Sequence, residues 1–121
     1  MKSVRWLAVP FDPFDPESRL EHFLRHGHEF GADSAEEYEA MADKFWHRPV
    51  IPPLHECTRG NGAKCRYDRE TDEYSVMTTR GLVTTYFVPV PCARFEEDDD
   101  ECPDDCHGFA SNMEYFRARC N

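Results

Sequence analysis

Between Ser34 and Pro53 the chain spells out one helix together with both of its ends, and this limits what the remainder can pack against. Tyr38, Met41, Ala42, Phe45 and Trp46 fall at i, i+3, i+4, i+7 and i+8, a continuous apolar face at helical period. Asp33 and Ser34 open the element. Ser34 with Glu37 three residues on is a capping box, in which each side chain takes an amide that the first turn leaves unpaired. Pro49, Pro52 and Pro53 end it and begin a rigid loop, because proline has no amide to donate and its ring clashes with the preceding turn. A stripe with three aromatic rings must be covered, so it is assigned to the core.

Upstream, Val4 to Phe11 has strand-like composition. A tandem Phe-Asp-Pro follows, and Asp15 before Pro16 is a helix start, an acceptor at the N-cap with proline at the first helical position. That helix is expected to run to Arg25 or His26, with Gly27 just past its end and Leu20, Phe23 and Leu24 as its apolar stripe. Arg19, His22 and His26, at i, i+3 and i+7, share a neighbouring face. Downstream of the prolines, Cys57 to Lys64 reads as loop, with a turn at Arg59-Gly60-Asn61-Gly62.

The period then changes to two. Cys65–Arg69, Tyr74–Thr79 and Leu82–Val88 are predicted strands joined by turns at Glu70–Glu73 and Arg80-Gly81. Simple alternation puts Val83, Thr85 and Phe87 on one face of the last strand and Leu82, Thr84, Tyr86 and Val88 on the other. Helices followed by an antiparallel meander define an α+β class. The length suits one domain over residues 1–121: a core over about 16–89, a Cys-rich acidic loop over 92–107 and a short final helix within 108–120, with Met113, Tyr115 and Phe116 turned inward.

The net charge is -10, from 24 acids and 14 bases. Most of the excess is local, since Arg94 to Cys106 holds eight acids and one base. The remaining chain is close to neutral, so a small basic cleft for phosphate is compatible with the composition. The acidic run Glu96–Glu101 reads as a solvated loop. The first eleven residues lack the uninterrupted apolar run of a signal peptide, and no stretch approaches a membrane span, so the expected location is cytoplasmic, in its own cell or in a target cell after delivery.

Six cysteines allow disulfides, a metal site or free thiols. Cys92, Cys102, Cys106 and His107 lie within sixteen positions, and four such ligands can close on a structural Zn²⁺. Disulfides are the rival, drawing on Cys57, Cys65 or Cys120.

The segment Arg25-His26-Gly27-His28-Glu29-Phe30-Gly31 places a cation and an imidazole next to a glycine that frees the backbone to turn and leaves the ring uncovered. It resembles the Lys-His-x-x-Asp-Phe-Gly segment of the colicin D nuclease domain. The likeness continues through Glu37-Tyr38 to Phe45, Arg66-Tyr67-Asp68, Thr71, Val76-Met77 and then Gly81, Thr85 and Phe87. It covers roughly Leu20 to Pro89. Val83-Thr84-Thr85-Tyr86-Phe87 with Asn112-Met113-Glu114-Tyr115-Phe116 also resembles small toxin domains of the Barnase–EndoU–colicin–RelE group of metal-independent ribonucleases. Where the colicin segment carries a further lysine, this chain has Phe23.

The resemblance implies an endoribonuclease toxin, directed in the colicin D branch at the anticodon loop of a tRNA. No catalytic cofactor is implied, and an immunity protein or antitoxin is the expected partner. Carried over residue by residue, His26 becomes the general base or acid and Arg25 the phosphate-binding cation. Thr85, in place of a serine, becomes a donor to a phosphate oxygen or the 2′-OH. Phe87, in place of a tryptophan, becomes a base-stacking ring. By position, Arg66, His22 and His28 join as substrate-binding candidates. The alternative is a catalytically inactive domain of the same fold that binds a protein through its acidic surface or through a zinc-stabilised module.

Overall fold

The computed structural model describes residues 16–95, 103 and 105–120. The elements are α1 (Pro16–His26), a 3-10 turn (Gly27–Phe30), α2 (Ala35–His47), β1 (Leu54–Thr58), β2 (Lys64–Asp68), β3 (Tyr74–Met77), β4 (Val83–Phe87), a second 3-10 turn (Cys92–Arg94) and α3 (Asn112–Arg119). The class is α+β. The strand predicted at Val4–Phe11, the Asp15 cap, Cys102 and the acidic run Glu96–Glu101 lie outside the described residues. Among the described residues no helix is long and apolar enough to cross a membrane.

α2 forms as its sequence dictates. Ser34 Oγ accepts the Glu37 amide at 3.1 Å. The returning bond goes one residue further back than the capping box implies, from the Asp33 amide to Glu37 Oε2 at 3.3 Å. Tyr38, Ala42, Phe45 and Trp46 are buried and pack with Leu54, Val83 and Tyr86 of the sheet. α3 repeats the device: Ser111 Oγ accepts the Glu114 amide, and Glu114 accepts the Ala110 amide. Its Tyr115 and Phe116 are buried against Cys65, Tyr67, Tyr74 and Val76. The sheet is therefore covered on both faces, and β2 is buried from Cys65 through Asp68. Each large side chain removed from water this way contributes about 1.5–3 kcal/mol.

The sheet is a four-stranded antiparallel meander in the order β1-β2-β3-β4. β1 occupies part of the stretch expected to be loop, pairing Leu54 with Asp68 and Thr58 with Lys64. It is an edge strand of half-buried polar residues beyond Leu54, so it lacks the alternation that marks the others.

The faces of β4 also depart from simple alternation. Val76 pairs with Thr85, but Met77 pairs with Val83, so Thr84 is an extra residue, a β-bulge. The bulge returns Val83 to the Tyr86 side, into the α2 core, rather than to the side of Phe87.

Along α1 the expected stripe narrows to Phe23, which packs against the α2 core; Leu20 and Leu24 are 49% and 68% exposed. Gly27 does not turn the chain left-handed. It is buried where a Cβ would lie 2.6 Å from the Phe23 ring, and Gly31, at φ 69°, carries the left-handed cap instead.

Among the described residues two disulfides staple the fold. Cys57–Cys120 ties β1 to the end of α3, and Cys92 is bonded to Cys106, with Cα separations of 5.7 and 5.0 Å. Cys65 is free and buried. The second bridge overturns the zinc set, because Cys92 and Cys106 are bonded to each other and have no thiolate to offer. His107 is likewise engaged. Its Nδ1 accepts the Phe109 amide, its Nε2 faces Asn112 Oδ1 at 2.8 Å, and its ring stacks on Tyr115. Among the described residues no group of three or more His, Cys, Asp or Glu is placed to hold a metal ion.

Candidate active site

His26 is the last residue of α1, and the 3-10 turn that follows brings Glu29 back beneath it. Glu29 Oε2 lies 2.6 Å from His26 Nδ1. Glu29 Oε1 accepts the Val88 amide at 2.7 Å, just past the end of β4. The carboxylate thus fixes the imidazole to the turn and the turn to the sheet. With Nδ1–H donated to Glu29, Nε2 is the nitrogen left for other chemistry. Contrary to the expectation of an uncovered ring, His26 is only 6% exposed; its ring lies 5.2 Å from that of Phe87.

Beside it is a pocket of about 490 Å³, lined by Arg25, His26, His28 and Glu29 from α1 and its turn, and by Val88 and Asp105 among others. Arg25 and His28 are exposed. The pocket therefore gathers one guanidinium and one further imidazole around a carboxylate-anchored histidine, with Asp105 as an opposing charge. Asp105 reaches it from the segment closed by Cys92–Cys106.

Of the residues singled out from the sequence, the pocket brings together Arg25, His26 and His28. His22 lies outside it, in an adjoining hollow that shares Arg25. Burial holds the His22 imidazole below its ordinary range, and repulsion from His26 and Arg25 adds to the effect. Thr85 is half-buried on β4, and the pocket wall does not include it. Phe87 touches the His26 ring but is also packed edge-on against Tyr74 and Tyr115, so it buttresses His26 rather than presenting a free stacking face.

Arg66 is buried and committed. Its Nε donates to Glu56 at 2.6 Å, its Nη1 to the carbonyls of Phe45 and Arg48, and it lies over the Trp46 ring at 4.7 Å. Its place is structural, joining the end of α2 to the sheet, and the substrate contact expected for it gives way to that role.

The sequence reading does not include Glu29, Val88 and Asp105 among the site residues. The i, i+3 spacing of His26 and Glu29 is a local signal, since a 3-10 turn, with three residues per turn, puts such a pair directly above one another. The Val88 contact crosses 59 residues of sequence and has no local signal.

No protein-family profile matches the chain, and no curated protein matches it at a significant level.

Proposed function

We propose that the chain is an endoribonuclease that cuts by attack of a ribose 2′-OH on the adjacent phosphorus. The observation that carries this reading is the His26–Glu29 pair set in a pocket with Arg25 and His28. His26 Nε2 accepts the 2′-OH proton as the oxygen attacks in line. The bond to the 5′-oxygen breaks, and that oxygen leaves with a proton supplied by His28 or by water. The products are a 2′,3′-cyclic phosphate and a 5′-OH end. Arg25 neutralises the charge that builds on the phosphate oxygens. Glu29 holds the His26 tautomer and stabilises the imidazolium once formed. By resemblance the substrate is a tRNA anticodon loop, the setting is the cytoplasm, and an immunity protein or antitoxin neutralises the chain.

One observation favours a second reading. Asp105 puts a carboxylate in the same pocket, which suits a catalytically inactive module whose acidic surface meets a basic protein. A digest of total RNA in EDTA separates the two. The ribonuclease reading expects cleavage to cyclic-phosphate ends by the wild type, lost in His26→Ala. Intact RNA with both proteins, or equal cutting by both, sinks it.

A further inference from the structure

Cys57, Cys65 and Cys120 meet at one place. Cys57 of β1 and Cys65 of β2 are direct partners across the antiparallel ladder, so their side chains leave the same face of the sheet. α3 packs on that face, and Cys120 at its end is bonded to Cys57. Cys65 is a free thiol, fully buried in the same cluster. Its Sγ lies 3.8 Å from the carbonyl oxygen of Arg119, the residue before Cys120. The thiol is therefore set opposite one sulfur-bearing residue of the bridge and one residue away from the other.

Its neighbours keep it there. The Tyr74 hydroxyl donates to Cys65 Sγ at 3.9 Å. Arg59 donates to that hydroxyl at 3.2 Å and, through Nε, to the Arg119 carbonyl at 2.7 Å. Cys120 Sγ is 3.3 Å from the Phe116 carbonyl oxygen, an acceptor in place for a thiol proton on Cys120.

We propose that Cys65 is an internal exchange thiol for the Cys57–Cys120 staple. Its thiolate attacks Cys57 Sγ. The Cys57–Cys120 bond breaks as a Cys57–Cys65 bond forms, and Cys120 leaves as the thiolate. The proton given up by Cys65 ends on Cys120. One disulfide replaces another, so the step needs neither oxidant nor reductant. Residues facing each other across a ladder have Cα atoms about 4.5–5.5 Å apart, a separation that a disulfide spans.

The exchange moves the staple from α3 to the β1–β2 hairpin and releases the end of α3. α3 carries Tyr115, which packs edge-on against Phe87, and Phe87 lies against the His26 ring. The staple that moves is thus the one that pins the aromatic wall behind His26. The device does not depend on the ribonuclease reading, since it is read on the cysteines alone.

The test is disulfide mapping of the full chain by mass spectrometry after acid quenching. The wild type is held at about pH 8.5, where thiols ionise, with an alkylating reagent and no reductant, just below its unfolding midpoint so that α3 opens. A Cys57–Cys65 linked peptide and alkylated Cys120 should grow in together. In Cys65→Ala the labelling of Cys120 should be lost. Should that variant fold poorly, Cys120→Ser tests the same geometry: it leaves Cys57 and Cys65 as thiols, and glutathione disulfide should link them to each other in the folded protein. A wild-type map that keeps only Cys57–Cys120 overturns the proposal. So do equal labelling of Cys120 with and without Cys65, a bridge from Cys57 to any other cysteine, and unlinked Cys57 and Cys65 after oxidation of Cys120→Ser.

Discussion

Glu29 holds His26 and answers to the sheet at the same time: one carboxylate oxygen is 2.6 Å from His26 Nδ1 and the other accepts the Val88 amide. A carboxylate bridging a histidine to a strand end gives the ring a fixed tautomer and a fixed position, the two requirements of a proton-transfer group.

If the pair acts in RNA cleavage, His26→Ala lowers the rate by roughly 10²–10⁴. Glu29→Gln retains an acceptor and a similar shape but no charge, so its loss is smaller than that of His26→Ala. Rates of RNA cleavage by the two variants check this. Undiminished cleavage by Glu29→Gln would mean that Glu29 acts only by holding the turn.

Phe45 anchors the α2 stripe at 1% exposure, among Tyr38, Trp46 and Tyr86. Phe45→Ala is expected to cost about 3–5 kcal/mol, from lost transfer energy and the cavity left behind. Urea unfolding measures it, and a loss below about 1 kcal/mol would place the core elsewhere.

What the sequence carried well was local. α2 has its cap, its stripe and its stop within twenty residues, and all are realised. β1 is hard to read from sequence because Leu54 alone in it is buried, so it shows no apolar alternation. The faces of β4 depart from simple alternation because a bulge at Thr84 is set by pairing with β3, which alternation alone does not encode. The site divides likewise. Arg25, His26 and His28 are close in sequence and meet in one pocket. Arg66, a substrate-binding candidate by position, has its nitrogens claimed by Glu56 and by the carbonyls of Phe45 and Arg48, contacts with no local sequence signal. The cysteines offered several pairings, and only the docking of α3 beside β1 brings Cys120 to Cys57.

Asp68 gives the fold an acid limit. Burial alone would raise its carboxyl pKa, but the Arg48 guanidinium at 2.7 Å and the Glu70 and Thr71 amides outweigh it and hold the group below the usual carboxylate range. A carboxyl depressed on folding contributes stability that is present above its unfolded pKa of about 3.9 and lost as pH falls through the folded value. Asp68→Asn should therefore destabilise the protein near neutral pH by about 2–3 kcal/mol, a figure reduced for the partial exposure of Arg48. It should also flatten the acid limb of thermal stability against pH. An unchanged acid limb would assign that loss to other groups.

The two bridges set the redox behaviour. Native protein treated with an alkylating reagent should leave Cys57, Cys92, Cys106 and Cys120 unmodified, with Cys65 protected by burial. Loss of Cys57–Cys120 should cost about 2–4 kcal/mol, because it closes a separation of 63 residues and pins α3 to the sheet edge. Peptide mapping after alkylation, with melts of Cys57→Ala, checks both. Ready labelling of Cys57 without reductant would contradict the pairing.

Arg25 and Arg66 should fail in opposite ways. Arg66 is buried among Glu56, the carbonyls of Phe45 and Arg48 and the Trp46 ring, so Arg66→Ala strands the Glu56 carboxylate and both carbonyls. Breaking a buried pair this way costs about 3–5 kcal/mol. Arg25 is exposed at the pocket mouth, and Arg25→Ala should leave the unfolding midpoint nearly unchanged. Its cost should appear in RNA binding, as a weaker affinity with a shallower dependence on salt, since one phosphate contact is gone. Unfolding curves and RNA-binding isotherms at several salt concentrations, taken on both variants, resolve the contrast. A destabilised Arg25→Ala, or a stable Arg66→Ala that has lost RNA affinity, would reverse the roles assigned to the two arginines.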